Sequence, residues 1–217
     1  MRLVDLSHTV HDGLVTYKGL PPPLICDFLS REASKAHYAD GTTFQIGTIE
    51  LCSNTGTYLD SPWHRHEDGR DLSELDLESV AHLEGVKVAV GPDRRVVDAD
   101  AFDDVDVTGR AVLVETGWSR HWNTEAYYEG HPFLTEAAAV RLRDGGARLV
   151  GIDTYNIDDV AGGERPVHTV LLGAEVLIVE HMTNLAALPD AGFRFYAVPV
   201  KVRGMGTFPV RAFAEVD

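Results

Sequence analysis

Residues 54–66 read Asn54-Thr55-Gly56-Thr57-Tyr58-Leu59-Asp60-Ser61-Pro62-Trp63-His64-Arg65-His66. Gly56 and Pro62 interrupt regular structure, so the stretch reads as a shaped loop that follows a strand. It gathers two imidazoles, a carboxylate, a phenol and an amide within 13 residues. Buried polar groups cost roughly a few kcal/mol unless satisfied, so such a cluster inside a protein implies a chemical purpose. The plainer reading of the same composition is an exposed polar turn.

The flanking sequence places this loop in a mixed α/β chain. Upstream, 2–6 reads as a short strand and 13–25, with Gly13, Gly19 and Pro21-Pro22-Pro23, as an extended loop. The β-branched content of 42–51 predicts a strand. Downstream, the loosely spaced Leu72, Leu75, Leu77 and Val80 predict a helix over 71–80. Short apolar runs at 85–90 and 111–115 predict buried strands. Thr135 is a good N-cap, and the Ala-rich run after it ends at Gly145-Gly146, which predicts a helix over 135–145. A strand over 149–152 follows. Residues 171–179, with Gly173 as a kink or cap, and the alternating 193–200 complete the strands. Strands outnumber helices and the two are interspersed, as in a mixed α/β architecture. With no repeat, low-complexity tract or linker, 1–217 reads as a single domain.

Composition narrows the function. The chain carries 34 Asp+Glu against 19 Lys+Arg, a formal net charge of −15, without a run of basic residues. That disfavours nucleic acid and anionic membrane surfaces, both of which need clustered Lys and Arg. No stretch approaches the ~20 apolar residues of a membrane span. The N-terminus lacks a secretory h-region, and the two cysteines, Cys26 and Cys52, make no disulfide framework. A cytoplasmic protein is the expectation.

The loop resembles the signature His-x-Gly-Thr-His-x-Asp-x-Pro-x-His of the cyclase family of metal-dependent hydrolases, which includes bacterial kynurenine formamidases and isatin hydrolases. The resemblance covers nearly the whole chain. Val4-Asp5-Leu6-Ser7-His8 is similar to the family's opening, and Thr116-Gly117-Trp118 to its Thr-Gly-Trp. Gly151-Ile152-Asp153-Thr154 with Asp158 is similar to Gly-Ile-Asp-x-x-x-x-Asp. His168-Thr169-Val170-Leu171-Leu172 and Glu180-His181-Met182-Thr183-Asn184-Leu185 follow in order. Pro199-Val200-Lys201 and Gly206-Thr207-Phe208-Pro209-Val210-Arg211 close the pattern. The resemblance implies a swivelling β/β/α cyclase-like fold with a mixed central sheet. It also implies a homodimer or homotetramer with pockets near a subunit interface.

The chain departs from the signature at two positions. The family's histidines at 54 and 58, with the aspartate at 60, hold one metal; the aspartate bridges to a second metal held by the later histidine and glutamate. Here position 54 is Asn and position 58 is Tyr. An amide oxygen is a weak neutral donor, and a phenol of pKa ~10 must lose its proton to ligate well. The first site is therefore weakened or lost. Asp60, His168 and Glu180 remain as a set for one divalent cation, Mn²⁺, Zn²⁺ or Mg²⁺. The alternative is no metal, with Asn54 and Tyr58 hydrogen-bonding the carboxylates.

His64 matches the family's general base; without the resemblance it is a loop-holding histidine. His66, among Arg65, Glu67 and Asp68, reads as exposed. His168 alone would be a capping or core histidine; Asp153, ending the 149–152 strand, reads as a pocket carboxylate like Glu180 or as a cap only. Glu180 ends an apolar run, where a carboxylate is costly unless paired or ligated. Tryptophans read first as core or interface fillers, with Trp63 and Trp118 as candidate substrate contacts beside Asn54. Lys201 and Arg203 read as structural partners for carboxylates. Three functions stay open. The first is hydrolysis of an amide, formamide or lactam-like bond of a small molecule, with a metal-activated water, His64 as base, and Tyr58 donating to the oxyanion. The second is a metal-free cyclase, dehydratase or isomerase using Tyr58 and His64 as acid and base. The third is a non-catalytic small-molecule binder.

Overall fold

The computed structural model describes residues 1–91 and 93–217. The chain opens with strand β1 (Arg2–Asp5), then an arm of β2 (Leu24–Leu29), the short helix α1 (Arg31–Ser34) and β3 (Ile46–Glu50). The signature loop contains β4 (Tyr58–Asp60) and is followed by β5 (Leu83–Ala89), β6 (Val96–Val97), β7 (Ala111–Glu115) and β8 (Phe133–Leu134). Next come α2 (Glu136–Asp144), β9 (Leu149–Ile152), α3 (Pro166–Leu172) and β10 (Leu177–Glu180). The chain ends with β11 (Ala191–Tyr196), β12 (Thr207–Pro209) and β13 (Phe213–Val216).

Among the described residues, nine strands form one mixed sheet in the order β1-β13-β11-β5-β7-β9-β10-β4-β12. Its centre, β5-β7-β9-β10, is parallel. These strands are nearly continuous apolar runs because both faces are covered. Alternation along β7 sends Ala111 and Leu113 to one core, and Val112 and Val114 to the other. The second core is closed by Ala138, Ala139 and Leu142 of α2 and Val167, Leu171 and Leu172 of α3. The first lies on the opposite face. It takes in Val4 of one edge strand and Phe208 of the other, so the sheet curls around it. This is the α/β architecture expected from the sequence.

Several elements differ from the sequence expectation. Residues 71–80 form turns and a single 3-10 turn, Leu77–Ser79, rather than the expected helix. Asp71 accepts from the Ser73 backbone (2.8 Å), the Ser73 hydroxyl (2.7 Å) and the Gly204 backbone (2.6 Å), a local arrangement that competes with helix. Leu72 and Val80 still reach the core, while Leu77 is exposed. The run 171–179 is split: α3 ends at Leu172, Gly173 caps it, and the strand begins at Leu177. Residues 24–29, the latter part of which lies beyond the predicted loop, form a strand with β3. Both strands of this arm are solvent-exposed on both faces apart from half-buried Leu29.

Candidate functional site

The site forms where β4 lies between β10 and β12. The antiparallel register sets Tyr58 opposite Glu180, and Asp60 opposite Thr207. Residues two apart on a strand share a face, so Tyr58 and Asp60 point together toward α3. Entry to β4 depends on Gly56, whose φ of +67° favours glycine and whose missing Cβ would press on Val10. After Asp60 the chain turns at Pro62–His64, and the four-residue spacing returns the His64 ring over Asp60, with Nε2 3.8 Å from Oδ1. Gly206 makes this possible, because a Cβ there would collide with the His64 backbone.

His168 comes from the first turn of α3, which Pro166 starts at a position where a missing N–H costs nothing. Asp158 anchors that turn. Its carboxylate accepts from the backbone of Val167 (2.7 Å) and His168 (3.1 Å), and from His168 Nδ1 (2.6 Å). The Nδ1 proton is thereby fixed toward Asp158, and Nε2 faces Asp60 Oδ2 at 3.8 Å and Glu180 Oε1 at 4.0 Å. Glu180 accepts from the Ile157 backbone at 2.6 Å and from the Tyr58 hydroxyl at 2.6 Å.

Two directional hydrogen-bond chains follow from these contacts. Thr207 Oγ1 donates to Asp60 Oδ1 at 2.5 Å, so toward His64 Nδ1, 2.8 Å away, it accepts. That arrangement leaves the His64 Nε2 lone pair free. In the second chain Tyr127 donates to His181 Nδ1 (2.9 Å), His181 Nε2 donates to Tyr58 (3.3 Å), and Tyr58 donates to Glu180. Burial pushes His181 down to about 3, so the ring is neutral as this chain requires. Burial and the neighbouring Glu180 carboxylate hold the Tyr58 phenol well above its usual range. Tyr58 is therefore a hydrogen-bond donor here, not a phenolate ligand.

Electrostatics divides the two carboxyls. Burial raises Asp60, but the His64 and His168 imidazoles beside it outweigh burial and hold it below the ordinary carboxylate range. Burial raises Glu180, and Asp60 adds to the effect while His168 opposes it. Burial alone would lower His168, yet Asp158, Asp60 and Glu180 raise it well above an ordinary imidazole. Asp60 Oδ2 is buried without a hydrogen-bond partner. Such an oxygen is costly unless something positive meets it.

The donor set fits a divalent cation. Among the described residues, Asp60, His64 and His168 bring one ligand atom each to within 4.8 Å of one another. A histidine held by a carboxylate on its far nitrogen is the usual support for a metal ligand. A cation would take the place of the proton that the carboxylates draw to His168. The sequence expectation used Asp60, His168 and Glu180; the structure sets His64 nearer to this group than the reading as base alone implied.

A cavity of about 480 Å³ opens onto the group, lined by Tyr58, His64, His168 and Glu180 together with Tyr17, Leu20, Asn54, Asn156, Arg65 and Arg165. Asn54 is thus brought to the site. Trp63 and Trp118 are not among its lining residues: Trp63 is exposed, and Trp118 donates from Nε1 to the Tyr127 carbonyl at 3.0 Å. Asp153 is buried away from the cavity and caps the turn at Thr116 and Gly117. His66 is half-buried, with Nε2 3.1 Å from the Thr169 carbonyl, because α3 packs over it. Lys201 and Arg203 form no ion pair among the described residues. Sequence reading assigned no role to Thr207, Asp158, His181, Tyr17 or Arg165. Thr207, Asp158 and His181 lay inside quoted motifs; Tyr17 and Arg165 carried no local signal.

Comparison with known proteins agrees with this geometry. The chain is 27% identical to the kynurenine formamidase of Bacillus cytotoxicus over 96% of this chain and 95% of that protein. It is 26% identical to the kynurenine formamidase of Bacillus cereus over the same shares. Among solved structures, isatin hydrolase A from Labrenzia aggregata bound to benzyl benzoate superposes with a TM-score of 0.84 at 22% identity, covering 99% of this chain and 93% of that one. A structure described as a potential metal-dependent hydrolase with cyclase activity gives 0.79 at 24% identity, over 98% and 96%. The family model described as "Putative cyclase" matches residues 4–159, and the chain belongs to that Cyclase family.

Proposed function

We propose that this protein hydrolyses an amide, formamide or lactam-like C–N bond of a small molecule, using one divalent cation, Mn²⁺ or Zn²⁺. The observation that carries the reading is Asp60 Oδ2, buried and without a hydrogen-bond partner among the described residues, beside an oriented His168 that lines a ligand-sized cavity. Asp60 and His168 would hold the cation, with Glu180 completing the set. A cation there supplies Lewis-acid polarisation of the carbonyl and acidification of water. The chain's own residues do the rest. His64, with Nδ1–H given to Thr207 and Nε2 open to the cavity, accepts the proton of the attacking water and returns it to the leaving nitrogen. Tyr58 orients Glu180, because its proton is already committed there. That commitment also disfavours the metal-free reading in which Tyr58 is the cavity acid.

The test is metal analysis of purified protein with turnover of formanilide and isatin before and after chelation. We expect about one equivalent of divalent cation, loss of turnover on removal and recovery with Mn²⁺ or Zn²⁺. Protein that neither carries nor gains a cation, yet turns over equally well, overturns the metal reading. His64→Gln should lower kcat by ~100-fold or more while leaving metal content in place, as for a lost general base.

We further propose a homodimer or homotetramer built through the β2–β3 arm. Phe28 is 78% exposed and Ile49 59%, on a two-stranded unit that is marginal when unpartnered. Phe28→Asp with Ile49→Asp should shift light-scattering mass to the monomer; an unchanged assembly assigns contact to another face.

A further inference from the structure

The catalytic residues form only part of the cavity lining. Its outer wall carries two guanidinium groups, Arg65 and Arg165. Neither pairs with a carboxylate among the described residues, in a chain with 34 acidic side chains and only 19 Lys and Arg. Lys18, on the same wall, is by contrast tied to Glu125 at 2.7 Å.

The two arginines are held in place by neutral partners. Arg165 is half-buried and donates from Nη1 to the carbonyls of Glu164 (2.6 Å), Gly162 (2.9 Å) and Asp159 (3.3 Å). Arg65 donates from Nε to Thr169 Oγ1 at 3.0 Å, and that hydroxyl donates to the Arg165 carbonyl at 2.7 Å. Thr169 therefore ties the Arg65 side chain to the Arg165 backbone. One edge of each guanidinium is anchored by carbonyl or hydroxyl oxygens, which neutralise no charge. Guanidinium matches a carboxylate in planar, two-point geometry, and pre-anchoring lowers the entropy lost on binding.

We infer that Arg65 and Arg165 form an anion subsite that selects substrates bearing a carboxylate away from the scissile bond. This rests on the hydrolase reading for the word substrate, but the subsite itself can be measured without turnover. Binding energy from such a remote group positions the reacting bond over the floor.

Two measurements on the purified metal-loaded protein decide it. The first compares formanilide with its meta-carboxylate, meta-sulfonate and meta-carboxamide derivatives, in the native protein and in Arg65→Gln/Arg165→Gln. The native protein should favour the anionic over the neutral derivatives by roughly tenfold or more in kcat/KM, chiefly through KM and decreasing with salt. In the double variant that ratio should collapse toward one. Single Arg65→Lys and Arg165→Lys variants, which keep charge but lose the planar fork, should give intermediate ratios; they also decide the matter if the double variant does not fold. The second measurement is equilibrium binding of benzenesulfonate against benzenesulfonamide, since a sulfonate is a poor metal ligand. The native protein should bind the sulfonate more tightly, and the arginine variants should not. Equal handling of charged and neutral compounds, or a preference that survives in the variants, overturns the inference while leaving hydrolysis standing. Absence of any turnover with sulfonate binding intact overturns the hydrolase reading and retains the anion subsite.

Discussion

At the scale of single residues, Thr207 shows how one hydroxyl sets the state of two site residues. It gives its proton to Asp60 and accepts from His64, so it fixes both the aspartate's orientation and the histidine's tautomer. Thr207→Val keeps the shape but removes both bonds. We expect kcat to fall by ~10–100-fold, with metal content little changed, because the His64 Nε2 lone pair is no longer enforced. Metal analysis beside steady-state kinetics checks this. Asp158 performs the equivalent task for His168. Among the residues the sequence singled out, Asp60, Tyr58, His64, His168 and Glu180 do meet. Asn54 joins them, while Trp63 and Trp118 stand elsewhere. For Trp63 the cause is simple: the turn at 62–64 carries His64 over Asp60 and leaves Trp63, one residue earlier, facing solvent, while Trp118 is held by the Tyr127 carbonyl.

At the scale of elements, the site depends on how three short segments approach. β4 is only Tyr58–Asp60, yet it is hydrogen-bonded on both sides, by β10 and β12. Its two breakers, Gly56 and Pro62, lie just outside those three residues, which is why the local sequence reads as loop. The chain leading into β12 passes so close to the His64 backbone that Gly206 cannot carry a side chain. Gly206→Ala should displace one segment from the other. The expected result is loss of most activity with a modest fall in Tm, measured by turnover and thermal denaturation on the same sample. The helices were legible to different degrees. α2 has an N-cap, Thr135, accepting from Ala138 at 3.1 Å, and a glycine stop. α3 has no side-chain cap on its first residue; it is started by Pro166 and by Asp158 from eight residues upstream, a signal that becomes visible only after folding.

At the scale of the whole molecule, burial makes stability depend on pH. His181 is fully buried and held down to about 3, and burial lowers His8 to about 4. The unfolded chain, with histidines near 6.5, binds more protons than the folded one across this window, so stability rises with pH there. The contribution is complete above about pH 6.5 and is lost as pH falls toward 3. His181 alone contributes a slope of about 1.4 kcal/mol per pH unit within that range. Thermal denaturation from pH 7.5 to 4.5 should show a shallower acid limb in His181→Gln than in the native protein; parallel curves would contradict the assignment. The net charge of −15 acquires a local meaning at this scale, since Asp60 and Glu180 are set against His168 inside while two arginines at the cavity wall have no carboxylate partner among the described residues. By itself the sequence determined the strand-rich α/β class, the buried central strands and the polar types gathered in 54–66, because apolar runs, caps and breakers act within a few residues. Only the tertiary structure decided that Tyr58 donates to Glu180, that Thr207 orders His64, and that Arg65 and Arg165 share one wall. Those contacts join residues up to 143 positions apart, and their geometry comes from strand register and helix packing, which no local pattern encodes.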